Sequence, residues 1–219
     1  MKISKILRFI VLTALIIFGF SLKAGYTAED ELSKDALEGL QYILNCSECH
    51  GFDGNSISHE WPNIAGLNVN YIQKQLMDFK EGRRSNKDMD EVVRSIPSDE
   101  ILNQLAHYYS TQKIQPLRKK SKKNKLAKLD LGEEIYSGKR IDYGIPGCLF
   151  CHGKDGKGGE DGKYPRLVGQ YREYIVKQMK LFRSRERKND VPSMMQNIAR
   201  VMDDEDIESV AAYIERLEH

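Results

Sequence analysis

Two pentapeptides constrain this chain more than any other feature: Cys46-Ser47-Glu48-Cys49-His50 and Cys148-Leu149-Phe150-Cys151-His152. Each reads Cys-x-x-Cys-His, and together they use all four cysteines of the 219-residue sequence. Two thiols three positions apart can add to the two vinyl groups of one haem. The histidine that follows is then held beneath the iron as an axial ligand. A disulfide between the two segments leaves both histidines unexplained, and cysteines so close within one segment bridge poorly. A zinc ribbon sets its cysteine pairs about 15–20 residues apart, whereas 98 residues lie between Cys49 and Cys148. The pattern predicts two covalently attached haem c groups, one on Cys46 and Cys49 and one on Cys148 and Cys151, with His50 and His152 as metal ligands.

The surroundings of the two motifs repeat at a spacing of 102 to 106 residues. Cys46-x-x-Cys49-His50-Gly51-x-Asp53-Gly54 matches Cys148-x-x-Cys151-His152-Gly153-x-Asp155-Gly156. Trp61-Pro62-Asn63-Ile64-Ala65-Gly66 matches Tyr164-Pro165-Arg166-Leu167-Val168-Gly169, and Tyr71-Ile72-x-Lys74-Gln75 matches Tyr174-Ile175-x-Lys177-Gln178. A repeat of this kind predicts two tandem domains of one fold. Apolar positions recur with helical spacing over 36–45, 71–80, 101–109, 129–137, 174–183 and 207–217, and no stretch alternates as a strand does. The expected fold class is all-α. The expected division is a leader at 1–28, a first domain at 29–112, a basic linker at 113–128 and a second domain at 129–219.

The leader has a basic start (Lys2, Lys5, Arg8), an apolar core from Phe9 to Phe20 and small residues at Ala24, Gly25 and Ala28. That is the layout of a secretory signal peptide, with an uncleaved anchor as the other reading, and either one predicts export to a periplasm. Removing residues 1–24 leaves 30 Lys and Arg against 32 Asp and Glu. The exported body is then slightly acidic, and its charge gives no reason to expect a nucleic-acid partner. The linker carries eight cations and no acid between Lys113 and Lys128. It reads as a solvated, self-repelling spacer, the rival reading being a docking patch for an acidic protein or an anionic membrane.

A second axial ligand remains to be found for each iron. Aligning Arg94 with Arg200 sets Met89 against Met195, the only region that offers methionine in both halves. A register one residue shorter sets Met89 against Met194 instead. Met77, Met179 and Met202 have no methionine counterpart and suit core filling. Ligation by a second histidine has three spare residues, His59, His107 and His219, none of them repeated. Pro62 and Pro165 could each supply the carbonyl that a ligating imidazole needs for its other N–H.

These motifs, with the closing segments Leu105-Ala106-x-Tyr108-Tyr109 and Val210-Ala211-Ala212-Tyr213-Ile214, resemble the two-haem cytochromes c of the cytochrome c4 type. The resemblance covers roughly residues 34–112 and 129–217. It implies two tandem class I cytochrome c domains, each wrapped around its haem, in a protein that is not an enzyme but an electron carrier. It implies His50 and Met89 on the first iron, and His152 and Met195 on the second. It also implies a periplasmic location, often with membrane association, and redox partner proteins: a respiratory complex, a terminal oxidase or a dehydrogenase. Asn86-Lys87-Asp88-Met89-Asp90 is more polar than that family's pattern at the methionine.

Overall fold

Helix α1, Lys34–His50, carries the first cysteine–histidine motif as its own last turns. It stops where Gly51 takes a positive φ of 76°. The computed structural model describes residues 34–117, 127–190 and 192–217. The predicted leader, most of the basic linker and His219 lie outside the described residues. After α1 come α2 (Val69–Lys80), α3 (Lys87–Arg94) and α4 (Asp99–Ser110). The second half holds α5 (Leu129–Ser137), a 3₁₀ turn (Ile141–Tyr143), α6 (Leu149–His152), α7 (Arg172–Ser184), α8 (Met194–Arg200) and α9 (Asp204–Ile214). The described elements are all helical, and none is long and apolar enough to cross a membrane.

The two halves share part of one packing scheme, although the close pairing of α5 with α9 has no equal between α1 and α4. In the first, α2 packs on α3 and α4; in the second, α7 packs on α8 and α9. The first core gathers Phe79, Val93, Ile96, Leu102 and Leu105, with Leu67, Ile72 and Tyr109 beside it. The second gathers Ile135, Ile175, Phe182, Ile207, Val210 and Ile214. Met179 and Met202 are buried in the second core, and Met77 packs on the first, as filler methionines should. The closing helices start on side-chain caps, Ser98 for α4 and Asp203 with a full capping box for α9. Each cap satisfies N–H groups that have no partner within the helix.

One difference from the repeat is local. In the second half the helix ends at Ser137, where Gly138 is left-handed (φ 87°), and the chain makes an excursion before the motif resumes on α6. Residues 138–147 therefore lengthen the path from this helix to its motif, whereas α1 runs straight into its own.

The halves meet through polar groups buried from water. Asn63 Nδ2 donates to the Gly169 carbonyl at 2.7 Å, and Arg166 Nη2, at the matching repeat position, donates to the Ala65 carbonyl at 2.6 Å. Gln170 exchanges two 3.0 Å bonds with the Asn63 backbone. Tyr171, fully buried, donates its hydroxyl to the Ser56 carbonyl at 2.7 Å. Burial pulls the Arg166 guanidinium down to about 10, with nothing anionic offsetting it. Asp78 has no acidic counterpart, because Leu181 stands at its repeat position. Its side chain is 3% exposed and accepts from Lys74 (2.5 Å), Arg83 (2.7 Å) and Asn189 of the other half (2.6 Å). Burial opposes its ionisation, but the bonds from Lys74, Asn189 and Arg83 outweigh burial and hold the carboxyl below its usual range.

Helices α5 and α9 cross at Gly132. A Cβ there would lie 2.2 Å from the Ser209 carbonyl oxygen and 2.9 Å from Tyr213 Cβ. An exposed helical Gly→Ala change normally stabilises by about 1 kcal/mol. Here the close approach reverses the sign: Gly132→Ala should destabilise by about 2 kcal/mol through overpacking, measured as a fall in the denaturant midpoint at unchanged slope.

Candidate haem centres

The local geometry of each site follows from how the chain turns after the histidine. Asp53 Oδ1 accepts from the Asn55 N–H at 3.1 Å, and Asp155 Oδ1 from the Lys157 N–H at 3.4 Å, one aspartate turn in each half. The Gly54 carbonyl then accepts from the N–H groups of Ile64 (2.8 Å) and Ala65 (3.0 Å). The Gly156 carbonyl accepts from Leu167 (2.7 Å) and Val168 (3.1 Å) in the same way. A side chain at Gly54, whose φ is 76°, would stand 2.7 Å from the Ala65 nitrogen, so this position admits only glycine. These bonds bring the proline segment back beside the histidine.

There the two histidines are fixed. His50 Nδ1 lies 2.9 Å from the Pro62 carbonyl oxygen, and His152 Nδ1 lies 2.8 Å from that of Pro165. A carbonyl only accepts, so Nδ1 must carry the proton and donate, leaving the Nε2 lone pair for a metal. Both rings are buried, and burial lowers their pKa although the carbonyl bond works against it. Neutral imidazole is the form that ligates. The proline carbonyls anticipated from the sequence do hold the rings.

Both histidines line one continuous cavity of about 1670 Å³ that runs between the halves. The four cysteines line it too, unpaired, two beside each histidine. Burial pushes the Cys46 thiol up to about 11, against a hydrogen bond involving Tyr109, and the Cys148 thiol up to about 12. Apolar walls come from Ile64, Phe79 and Leu105 on one side and from Ile175, Phe182 and Ile214 on the other. Paired thiols, an oriented neutral imidazole and an apolar cavity fit a thioether-linked haem in each half.

Methionine reaches the same cavity on the two short helices that apolar periodicity does not announce. Met89 sits in the first turn of α3, where the Asn86 side chain caps the helix by accepting from the Met89 N–H at 3.3 Å. Asp88 and Asp90 lie in that first turn, favourable to the helix dipole. The polar surroundings of Met89 are therefore a helix start, and its side chain packs on the first core. Met194 and Met195 open α8, whose first turn is held by Asp190 accepting from the Gln196 N–H (3.0 Å) and side chain (2.7 Å). Both line the cavity, but Met195 packs on the second core while Met194 is 37% exposed. His59 is an exposed residue on the cavity wall and His107 is exposed on α4.

The Cytochrome c family model matches residues 129–218. Cytochrome c4 from Pseudomonas aeruginosa is 34% identical over 197 residues, 90% of this chain and 95% of that protein. A thiosulfate dehydrogenase electron acceptor from Stutzerimonas stutzeri is 32% identical over 171 residues, 78% of this chain and 77% of that one. The crystal structure of reduced recombinant cytochrome c4 from Pseudomonas stutzeri superposes with a TM-score of 0.74 at 32% identity, covering 84% of this chain and 98% of its own.

Asn86→Ala removes the cap that starts the Met89 helix. It should lower the stability of the haem-loaded protein by about 1 kcal/mol in denaturant unfolding, and Asn86→Ser should restore most of the loss.

Proposed function

The chain belongs to the cytochrome c4 family, and from that premise we propose that it carries electrons through the periplasm from a respiratory donor to an acceptor such as a terminal oxidase. It is an all-α, two-haem electron-transfer cytochrome with two tandem class I cytochrome c domains. In our reading the domains are 29–112 and 129–219, joined by the basic linker. Cys46 and Cys49 hold one haem c, Cys148 and Cys151 the other. His50 and Met89 ligate the first iron; His152 and Met195 ligate the second.

The observation that carries this reading is the pair of histidines donating from Nδ1 to proline carbonyls, each on the wall of a cavity that also receives a core-packed methionine. Bound haem supplies a one-electron ferric–ferrous couple. The protein holds each imidazole in one tautomer, presents a thioether sulfur and excludes water with apolar walls. With haem bound, His50 with Met89 and His152 with Met195 would hold the two irons, a ligand pair that would raise each potential relative to harder pairs and would leave no place at iron for a substrate. A core that already fixes both ligands needs little rearrangement on electron transfer.

A second reading concerns the donor. Relatives named as thiosulfate dehydrogenase electron acceptors support a partner that is a sulfur-compound dehydrogenase on another chain. In that case this protein is again the carrier and the chemistry lies elsewhere. Location in the periplasm rests on the leader, and peripheral membrane association on the lysines of the linker.

Met89→Ala and Met195→Ala should each abolish one haem's share of the ferric methionine–iron charge-transfer band, while Met194→Ala leaves the band intact. Loss of the band in Met194→Ala and its survival in Met195→Ala would reverse the second assignment. Reduction of the wild-type protein by a quinol-oxidising respiratory complex, compared with a thiosulfate-oxidising dehydrogenase, separates the two donors.

A further inference from the structure

The excursion at 138–147 brings apolar side chains to the surface beside the second cysteine–histidine motif. Ile145 turns inward to the core, but Ile141 and Tyr143, on the 3₁₀ turn, stand 61% and 64% exposed. Phe150, within the motif itself, is 71% exposed, and its ring lies against Gly138 and Gly147, 3.0 Å from where a Cβ would stand on either. Val201, just past α8, meets the excursion at Gly144, 3.9 Å from the same point there. Pro146, Phe150 and Met194 also line the cavity that holds Cys148, Cys151 and His152. Apolar residues exposed singly need no explanation, whereas a contiguous set rimmed by charge marks an interaction site.

The first half does not repeat this face. Glu48 occupies the repeat position of Phe150, and Asp88 that of Met194. Both acids are exposed, and Asp88 lines the cavity. Burial raises the Cys49 thiol, and the charges of Asp88 and Glu48 raise it further, so both carboxylates lie near the first attachment site. The face in the second half is bordered instead by cations. Lys139 and Arg200 are exposed, and the Arg140 guanidinium lies 3.9 Å from the Tyr143 ring centroid. Asp142 is the acid within the 3₁₀ turn. Asp203 caps α9, and Asp204 is paired with Lys180 and Arg183. Complementary charge steers encounter and suppresses wrong partners, so cations around an apolar centre fit acids around another. A second copy of this chain would bring the same cations against themselves.

Resting on the electron-carrier reading above, we propose that this face seats a redox protein whose own docking patch is apolar and bordered by acids, and that Glu48 and Asp88 turn the same partner away from the first haem. Docking there sets the partner's redox centre beside the second haem. One electron crosses in each encounter: the centre that gives it is oxidised by one, the centre that takes it is reduced by one, and no bond changes.

The test measures second-order rates of electron exchange between the haem-loaded protein and three purified probes: a terminal oxidase, a quinol-oxidising respiratory complex and a thiosulfate-oxidising dehydrogenase. Wild type is compared with Phe150→Ser, Tyr143→Ser and Glu48→Gln, each with haem content and the methionine–iron band verified. At least one probe should react with wild type and lose about tenfold or more in rate with Phe150→Ser or Tyr143→Ser, as truncation of an aromatic anchor does. Glu48→Gln should not slow that probe, and added salt should. Rates unchanged in both serine variants overturn the proposal, and so does equal slowing by Glu48→Gln. A rate that rises with salt overturns the acidic rim. Two further measurements identify a different occupant. Wild type that sediments with vesicles of anionic phospholipid, and loses this in Phe150→Ser at unchanged rates, assigns the face to a membrane. A dimer that Phe150→Ser dissociates, again at unchanged rates, assigns it to a second copy. Either result overturns the proposal. A wild-type protein with two haems that exchanges electrons with none of the probes would instead defeat the carrier reading on which the proposal rests.

Discussion

The hydrogen bond from each histidine Nδ1 to a proline carbonyl is the contact on which the rest of the molecule depends. It decides which ring nitrogen is left for a metal and keeps the buried ring in one orientation. The carbonyl is in place because Gly54 and Gly156 accept paired N–H groups from the residues just beyond each proline. Those same segments continue into Asn63 and Arg166, which cross to the other half. A single stretch of backbone therefore orients a ligand and joins the domains. Disturbing the join would be felt at the histidine, because the residue that crosses directly follows the proline whose carbonyl holds the ring.

The join is polar, as interfaces between domains of one chain commonly are, and its polar groups are buried. Most of its members satisfy one another: amides donate to carbonyls, arginines share glutamine oxygens, and Asp78 is fully occupied, while Arg166 Nε has no partner among the described residues. Fully satisfied buried networks specify a unique arrangement, and partly satisfied ones are costly. The symmetry is incomplete. Asp78 faces Leu181 in the repeat, and Asn63 faces Arg166, so the first half contributes a buried carboxylate and the second an additional buried guanidinium. Two haems in one repeated fold thus experience different fields.

Much of this was legible in the residues. The cysteine–histidine spacing marks the candidate attachment sites, apolar periodicity marks most of the long helices, and Pro62 and Pro165 stand at matching repeat positions with their carbonyls beside the rings. Helices α2, α4, α5, α7 and α9 follow apolar periodicity because each buries one face, whereas α1 leaves Leu40 and Leu44 exposed. Helices α3 and α8 escaped because they are short and begin on polar residues, Asn86 with Asp88 in one and Asp190 upstream of the other. Around Met89 this polarity looked out of place, and it is the ordinary chemistry of a helix N-terminus. The interface was illegible for a related reason. Arg84, Gln75 and Arg187 read as surface residues in a single sequence, and only the approach of the second half buries them. The methionine ambiguity at 194 and 195 is one of register, and packing separates the two side chains where alignment could not.

The central claim is that both irons are closed by a histidine and a methionine, which makes the protein a carrier rather than a catalyst. Adding carbon monoxide to the fully reduced, haem-loaded protein tests it most directly, because the ligand binds ferrous haem only where an axial position is open. The account predicts no change in the reduced absorbance bands of either haem. A carbon monoxide complex at one haem or both would contradict it.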